Sequence, residues 1–312
     1  MARILITGAS GLLGVNLALE ACERHEVVGV VNHTVLREPP FHQVQINLLE
    51  DGAPERLIAE VEPDWVIHCA ALAGLDACEA QPGLAQLLNA VLPGRLARAA
   101  HSIPFLHIST DAVFDGVRGN YSEDDSPNPR SVYARTKLAG EQAVIDNHPG
   151  PIVVRSAFYG WSIDSMRSLA EFFITNLSEG RRVPGLTDVR FCPMLANDLA
   201  GVLLAMLKKG LSGLYHVVAS DSMTKHDFGV ALARKFGLDE TLIEPKKSSD
   251  LDRLAPRSPN LTLVSQKVAD LGAELPKVSS GVARLFQLDQ SGFRDRVQAL
   301  NQEKQIMIGA NT

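Results

Sequence analysis

The feature that most constrains this chain is an alternation of short apolar runs with helical segments that fills its first half. Residues 3–7, 26–31, 44–46, 65–69, 104–109 and 152–155 read as strands. Residues 12–23, 54–61, 82–100 and 131–146 lie between them and read as helices. The strands are rich in Val, Ile and Leu, with almost no polar interruption. Strands buried on both faces of a parallel sheet have that composition. The alternation predicts an α/β fold, a Rossmann-type doubly wound parallel sheet.

The order loosens after residue 155. Segments 168–179 and 197–208 read as helices, and 213–218 as a strand that joins the main sheet. Segment 224–236 reads as a helix with Thr224 as N-cap and Gly237 as its stop. Segment 244–260, rich in Pro, Ser, Lys and Asp, reads as a loop, and 265–271 and 280–287 as short helices. The expected organisation is a dinucleotide-binding part over 1–157, rejoined by about 190–218. A smaller, discontinuous substrate lobe takes 158–189 and 219–300, followed by a frayed polar tail over 301–312. Such a lobe would cover the carboxyl edge of the sheet, where open α/β sheets bind ligands.

The run Thr7-Gly8-Ala9-Ser10-Gly11-Leu12-Leu13-Gly14 follows the first strand and opens the first helix. Gly8 permits a tight turn, Gly11 lets backbone approach a pyrophosphate, and Gly14 lets helix and strand pack closely. The helix start adds free N–H groups and a positive dipole end. Ser10, Leu12 and Leu13 belong to the same cradle. The G-x-x-G-x-x-G spacing resembles that of the extended short-chain dehydrogenase/reductases. An acid ending the second strand would hold the ribose 2′-hydroxyl of NAD. Here that end reads Asn32-His33-Thr34, and Arg37 follows. The missing carboxylate, and an arginine able to pair with a 2′-phosphate, favour NADP(H), with NAD(H) still open. Arg37 reads almost equally well as a solvated loop charge.

Tyr133 and Lys137 are four residues apart on an expected helix, and so share one face. Free tyrosine titrates near ~10, and exchange of its proton near neutrality requires about 4 kcal/mol of differential stabilisation. A neighbouring ammonium is expected to supply part of it, with a cationic oxidised nicotinamide adding more. The phenol would then give its proton to a substrate carbonyl oxygen as hydride arrives. Thr110 ends a buried strand, where its hydroxyl faces the crevice or caps a turn.

The segments 109–116 (STDAVFDG), 121–125 (YSEDD) and 133–141 (YARTKLAGE), with Pro129 between them, resemble the dTDP-4-dehydrorhamnose reductase family. Asp76, Cys78 and Glu79, the run 197–200 (NDLA) and the stretch from Pro256 to Leu263 extend the resemblance over nearly the whole chain. The resemblance implies hydride transfer from NAD(P)H to the 4-keto group of a nucleotide-activated 6-deoxy sugar. It implies Thr110, Tyr133 and Lys137 as catalytic residues, with Tyr133 and Lys137 also touching the cofactor. It puts Cys69, Ala70 and Ala71 along the cofactor ribose, Asn47 near the adenine, and Asn89 and Arg155 near cofactor or substrate. Asp111, Phe158, Arg190 and Arg257 are the expected substrate contacts, the two arginines reading equally as solvated charges. Tyr159 and Trp161 read equally as sugar-flanking rings or core. Ala134 replaces the family's usual glycine after the tyrosine, and the segment 155–161 departs from its form. A homodimer is what the resemblance implies for assembly.

Three other activities compete. A 4,6-dehydratase needs a second carboxylate directly after Asp111, where Ala112 stands. An epimerase uses the same Tyr/Lys pair and would hold one NAD tightly. A non-catalytic binding module, like the regulatory β subunit of methionine adenosyltransferase, would bind NADPH without oxidising it.

Composition narrows the remaining classes. Hydrophobic residues are 46% and charged residues 21%, ordinary for a globular chain. At 312 residues the chain can bury roughly 75% of its unfolded surface without disulfide staples. A net charge of -6, no basic stretch and 5% aromatics argue against a nucleic-acid partner. Cys22, Cys69, Cys78 and Cys192 form no C-x-x-C pair and read as reduced thiols. The nine histidines lack ligand spacing, so no metal is expected. No apolar run reaches the ~20 residues of a membrane span. The first strand starts at Arg3, leaving no room for a signal peptide, so a cytoplasmic protein is expected.

Overall fold

The structure, a computed structural model, describes residues 1–251, 255 and 258–301. Its elements begin with β1 (Arg3–Thr7), α1 (Leu12–Ala21), β2 (Glu26–Val31), β3 (His42–Gln45), α2 (Ala53–Val61) and β4 (Trp65–His68). There follow α3 (Leu75–Ala80), α4 (Pro82–Gln86), a π-type turn (Leu87–Val91), α5 (Leu92–Ala99), β5 (Phe105–Thr110), α6 (Val132–Asn147) and β6 (Ile152–Ser156). The second half contains β7 (Phe158–Tyr159), α7 (Leu169–Ser178), β8 (Val183–Leu186), β9 (Arg190–Phe191), β10 (Met194–Leu195) and α8 (Ala196–Lys208). It ends with β11 (Gly213–His216), β12 (Met223–Thr224), α9 (Lys225–Phe236), β13 (Ile243–Lys246), α10 (Gln266–Asp270), α11 (Val278–Gln290) and α12 (Phe293–Ala299).

Seven strands form one sheet in the order β11-β6-β5-β4-β1-β2-β3. Every neighbouring pair in it is parallel. The period-two alternation splits β1 between two buried layers. Ile4 and Ile6 belong to the buried cluster that also holds Val15 of α1, Leu199 of α8, Phe228 of α9 and Leu285 of α11. Leu5 packs on the other face with Leu57 of α2, Leu96 of α5 and Val144 of α6. The winding direction reverses between β1 and β4, and a crevice opens beyond the carboxyl ends of such strands.

The expected helix over 82–100 is broken into α4, the π-type turn and α5. Pro93 has no N–H to return to the Asn89 carbonyl, so the helical ladder cannot close there. That carbonyl is turned onto α6, where a Cβ on Gly140 would come within 2.1 Å of its oxygen. Gly140 is thus the position at which α6 approaches its neighbour backbone to backbone. Gly140→Ala should cost about 1–3 kcal/mol by overpacking. Thermal unfolding checks this: Tm should drop by roughly 5 °C, and an unchanged Tm would contradict the close approach.

Three two-stranded pairs, β7–β10, β9–β12 and β8–β13, lie outside the main sheet. The segment expected as loop over 244–260 begins inside one of them, since β13 runs parallel to β8 with Pro245 beside Gly185. Tyr159 and Trp161, left open between sugar contact and core, are core: they are 1% and 0% exposed. Asn301, the first residue of the expected frayed tail, bridges to Leu36 and bonds the Ile163 carbonyl. Residues 302–312 and Arg257 lie outside the described residues.

Candidate active site

Gly8 stands at φ +69, and a Cβ there would come within 2.8 Å of the Ala70 backbone. At Gly14 a Cβ would press to 2.1 Å of the Gly8 carbonyl oxygen. The bend and the first turn of α1 therefore close on each other only because both residues lack side chains. Gly11 is the N-cap of α1 and no side chain caps the turn, which leaves its first N–H groups without a side-chain partner, although Leu13 and Gly14 are themselves buried. The Thr7 hydroxyl lies 2.7 Å from His68 Nδ1 and accepts from Ala70 N at 3.3 Å, which ties the ends of β1 and β4 together.

A cavity of about 270 Å³ spreads from this bend over the ends of β2 and β4. Gly8, Ser10 and Gly11 line it, with Asn32 and His33 from the end of β2. Asn47 and the run Cys69, Ala70 and Ala71 line it too, whereas the expected Leu12, Leu13 and Gly14 do not. An open helix start, a side-chain-free bend and a slot at the switch point fit a dinucleotide. Arg37 is not among its lining residues. Its backbone N–H is bound to Leu300 O, and it lines a separate hollow with Leu19, Cys22 and Arg296. Missed in the sequence is Arg167, which reaches this cavity from beyond β7.

A second cavity, about 180 Å³, lies beyond the end of β5. Thr110, Asp111 and Tyr133 line it, together with Arg190. Arg130 and Lys225 join them without a sequence signal of their own, one from the loop before α6 and one from the first turn of α9. Phe158 is not a lining residue: β7 pairs it with Met194 and it packs against the main core. Thr110 does cap a turn, since its Oγ1 accepts from Ala112 N at 3.2 Å and donates to Asp111 Oδ1 at 3.0 Å.

Tyr133 is the second residue of α6. Ser131 caps that helix through Ala134 N at 3.1 Å, and Glu79 Oε1 takes the Val132 N–H at 2.8 Å. Lys137, one turn on, is 3% exposed. Its Nζ donates to Ile108 O at 2.6 Å and lies 3.5 Å from His107 Nε2. Burial brings this ammonium down to about 8 against the pull of Glu141 and Cys69. The phenol departs from the expectation. Desolvation pushes Tyr133 up to about 12, Thr110 lowers it, and Asp111 and Cys78 raise it. Lys137 is turned to the Ile108 carbonyl, and it is not what sets the phenol. Desolvation likewise lifts Asp111 to about 6, against the Thr110 hydrogen bond and Lys225.

Asn89 and Arg155 are engaged beneath the site. The Asn89 amide accepts from Leu72 N at 2.8 Å and donates to Leu72 O and Thr136 Oγ1. It thereby fastens the loop after β4 to α6. Arg155 forms a two-point pair with Glu141 at 3.0 and 2.7 Å, with both side chains nearly fully buried. Ser109, next to Thr110, donates to the same carboxylate. All four cysteines are free, and burial raises the Cys69 thiol to about 12.

Fold and side-chain arrangement define an oxidoreductase of the extended short-chain dehydrogenase/reductase class, with a cavity that fits a dinucleotide at the switch point and Thr110, Tyr133 and Lys137 near the end of β5. The chain belongs to the RmlD substrate binding domain family, whose model matches residues 2–290. It is 38% identical over 292 residues to the probable low-salt glycan biosynthesis reductase Agl14 of Haloferax volcanii, covering 90% of this chain and 96% of that one. It is 34% identical over 284 residues to methionine adenosyltransferase 2 subunit beta of Xenopus tropicalis, covering 86% and 82%. Among solved structures it resembles a dTDP-4-dehydrorhamnose reductase from Clostridium acetobutylicum. That likeness has TM-score 0.81 and 28% identity, covering 92% of this chain and 99% of the other.

Proposed function

We propose that this protein is an NADP(H)-dependent reductase that transfers hydride to the keto group of a nucleotide-activated 4-keto-6-deoxy sugar. One observation carries the reading: Thr110 and Tyr133 line a second cavity while Lys137, one turn along α6, is buried behind them. A reduced nicotinamide, when bound, supplies the hydride. Gly8, Ser10 and the open first turn of α1 hold its diphosphate. Tyr133, held protonated at about 12, gives its proton to the carbonyl oxygen as that oxygen turns into an alkoxide, a far stronger base. Thr110, whose hydroxyl is given to Asp111 Oδ1 in the unliganded chain, turns it to the same oxygen and stabilises its growing charge. The Lys137 ammonium can support the phenolate left behind only once it turns from the Ile108 carbonyl that holds it in the unliganded chain.

Asp111 offers an acceptor to a sugar hydroxyl, and Arg190 a guanidinium to the diphosphate of the substrate. Asp111 is the one carboxylate among the described residues of this cavity, and Ala112 lines it where a dehydratase needs a second acid. The likeness to methionine adenosyltransferase subunit beta favours a second reading, a regulatory subunit that binds the dinucleotide without turnover. The intact Thr/Tyr/Lys set supports catalysis instead. A cytosolic homodimer goes with the reductase reading; exposed Leu87 and Val91 beside α6 support the pairing.

A panel of dTDP-, GDP- and UDP-linked 4-keto sugars, each with NADPH and NADH, tests the proposal. It expects cofactor consumption with at least one of them, whereas binding without turnover across the panel favours the regulatory reading. The pH profile follows from Lys137. Its ammonium is present below about 8 and lost above. The free-enzyme kcat/KM for keto reduction should therefore fall as pH rises through about 8. A profile flat to pH ~10, where free lysine titrates, would contradict a charged Lys137 in the reaction.

A further inference from the structure

The dinucleotide cavity contains a cation from the far half of the chain. Among the described residues lining it, Arg167 is the one Arg or Lys. Its segment is held from below by Glu171, which is 0% exposed. The Glu171 carboxylate accepts from the backbone N–H of Ser162 at 2.6 Å, and of Arg167 and Ser168 at 3.1 Å each. It also takes the Ser162 hydroxyl at 2.7 Å and closes a capping box with Ser168 at the start of α7. The main chain of Arg167 is thus fixed independently of its side chain. The guanidinium then arches over the phosphate bend: Nη1 donates to Ser10 O at 3.0 Å and Nε to Asp164 Oδ2 at 2.5 Å. Nη2 makes no hydrogen bond among the described residues.

Backbone N–H groups at the start of α1 already suit the diphosphate bridge. The same cavity includes Asn32, His33 and Thr34 at the end of β2, and no carboxylate among its described lining residues. An acid at that end would bind a ribose 2′-hydroxyl and repel a phosphate there. We propose that Arg167 recognises the 2′-phosphate of NADP(H) and sets the preference of this enzyme for it over NAD(H). The inference rests on the dinucleotide reading of the cavity. Asp164 holds the guanidinium by its Nε edge, leaving Nη2 to pair with phosphate oxygens.

The test is calorimetric titration of the full chain with NADPH, NADH and 2′,5′-ADP, for wild type and Arg167→Met. Wild type should bind NADPH more tightly than NADH. Arg167→Met should weaken NADPH and 2′,5′-ADP by about 10–100-fold and NADH by less than about 3-fold. Arg167→Lys should recover part of the NADPH affinity as a point charge. The unliganded Tm should not move, since Glu171 grips the backbone and the Arg167 side chain is 34% exposed. Equal losses for NADPH and NADH, or none for either, would overturn the inference while leaving the cavity reading intact. Wild-type protein that binds neither dinucleotide would overturn the cavity reading and this inference with it.

Discussion

Tyr133→Phe should lower kcat for keto-sugar reduction by about 10³-fold and leave NADPH affinity within about 3-fold. The substitution keeps the ring and its packing in the first turn of α6 and removes only the hydroxyl. In the proposed mechanism that hydroxyl is the acid at the second cavity, where desolvation holds it protonated at about 12. Thr110 remains as a donor, and positioning of the two reactants survives, so a residual rate persists. The loss should appear in kcat rather than KM, as expected for an interaction that matters while charge moves. Steady-state rates and a separate NADPH titration distinguish the two. A variant with full activity would assign the proton to another group.

The second large effect concerns stability. Glu141→Ala removes the partner of a buried guanidinium: Arg155 is 3% exposed and has its two-point pair with that carboxylate. Breaking a buried pair from one side leaves an uncompensated charge and costs about 3–5 kcal/mol. Chemical denaturation should report that loss, with the midpoint moving down and the slope unchanged. The Ser109 hydroxyl loses its acceptor in the same variant, so the strand that presents Thr110 should loosen and activity fall with stability. Replacing both partners by apolar residues of similar size should cost less than the single change. If Glu141→Ala unfolds at the wild-type midpoint, the pair is not the tie between β5, β6 and α6 described above.

The main sheet was readable because its inner strands are buried on both faces, so their sequences announce themselves without help from neighbours. The phosphate bend was readable for a related reason: three glycines between a strand and a helix are a local requirement, and Gly8 and Gly14 have no room for a Cβ. What escaped depends on contacts between distant segments. Pairs such as β8 with β13 join residues about sixty positions apart, and Pro245 at such an edge reads locally as a loop. The break at Leu87–Val91 was missed, since 82–100 reads as one helix despite Pro93, and the turn of the Asn89 carbonyl toward Gly140 has no local signal at all. Cation placement misled most. Arg37 follows β2 in sequence yet is drawn toward Leu300, while Arg167 arrives 157 residues after the Ser10 it touches. Side-chain spacing on α6 put Tyr133 and Lys137 on one face, but spacing does not say where an ammonium points. Here it points to the Ile108 carbonyl, and desolvation rather than the lysine sets the phenol.

The most direct measurement is mass analysis of a single turnover with NADPH deuterated at the transferable position and a nucleotide-linked 4-keto-6-deoxyhexose. Hydride chemistry with Tyr133 as acid predicts a product that gains one deuterium on the former carbonyl carbon and one exchangeable proton on its oxygen, with the cofactor oxidised in equal amount. Tight NADPH binding with the keto sugar recovered unlabelled and unreduced would contradict it.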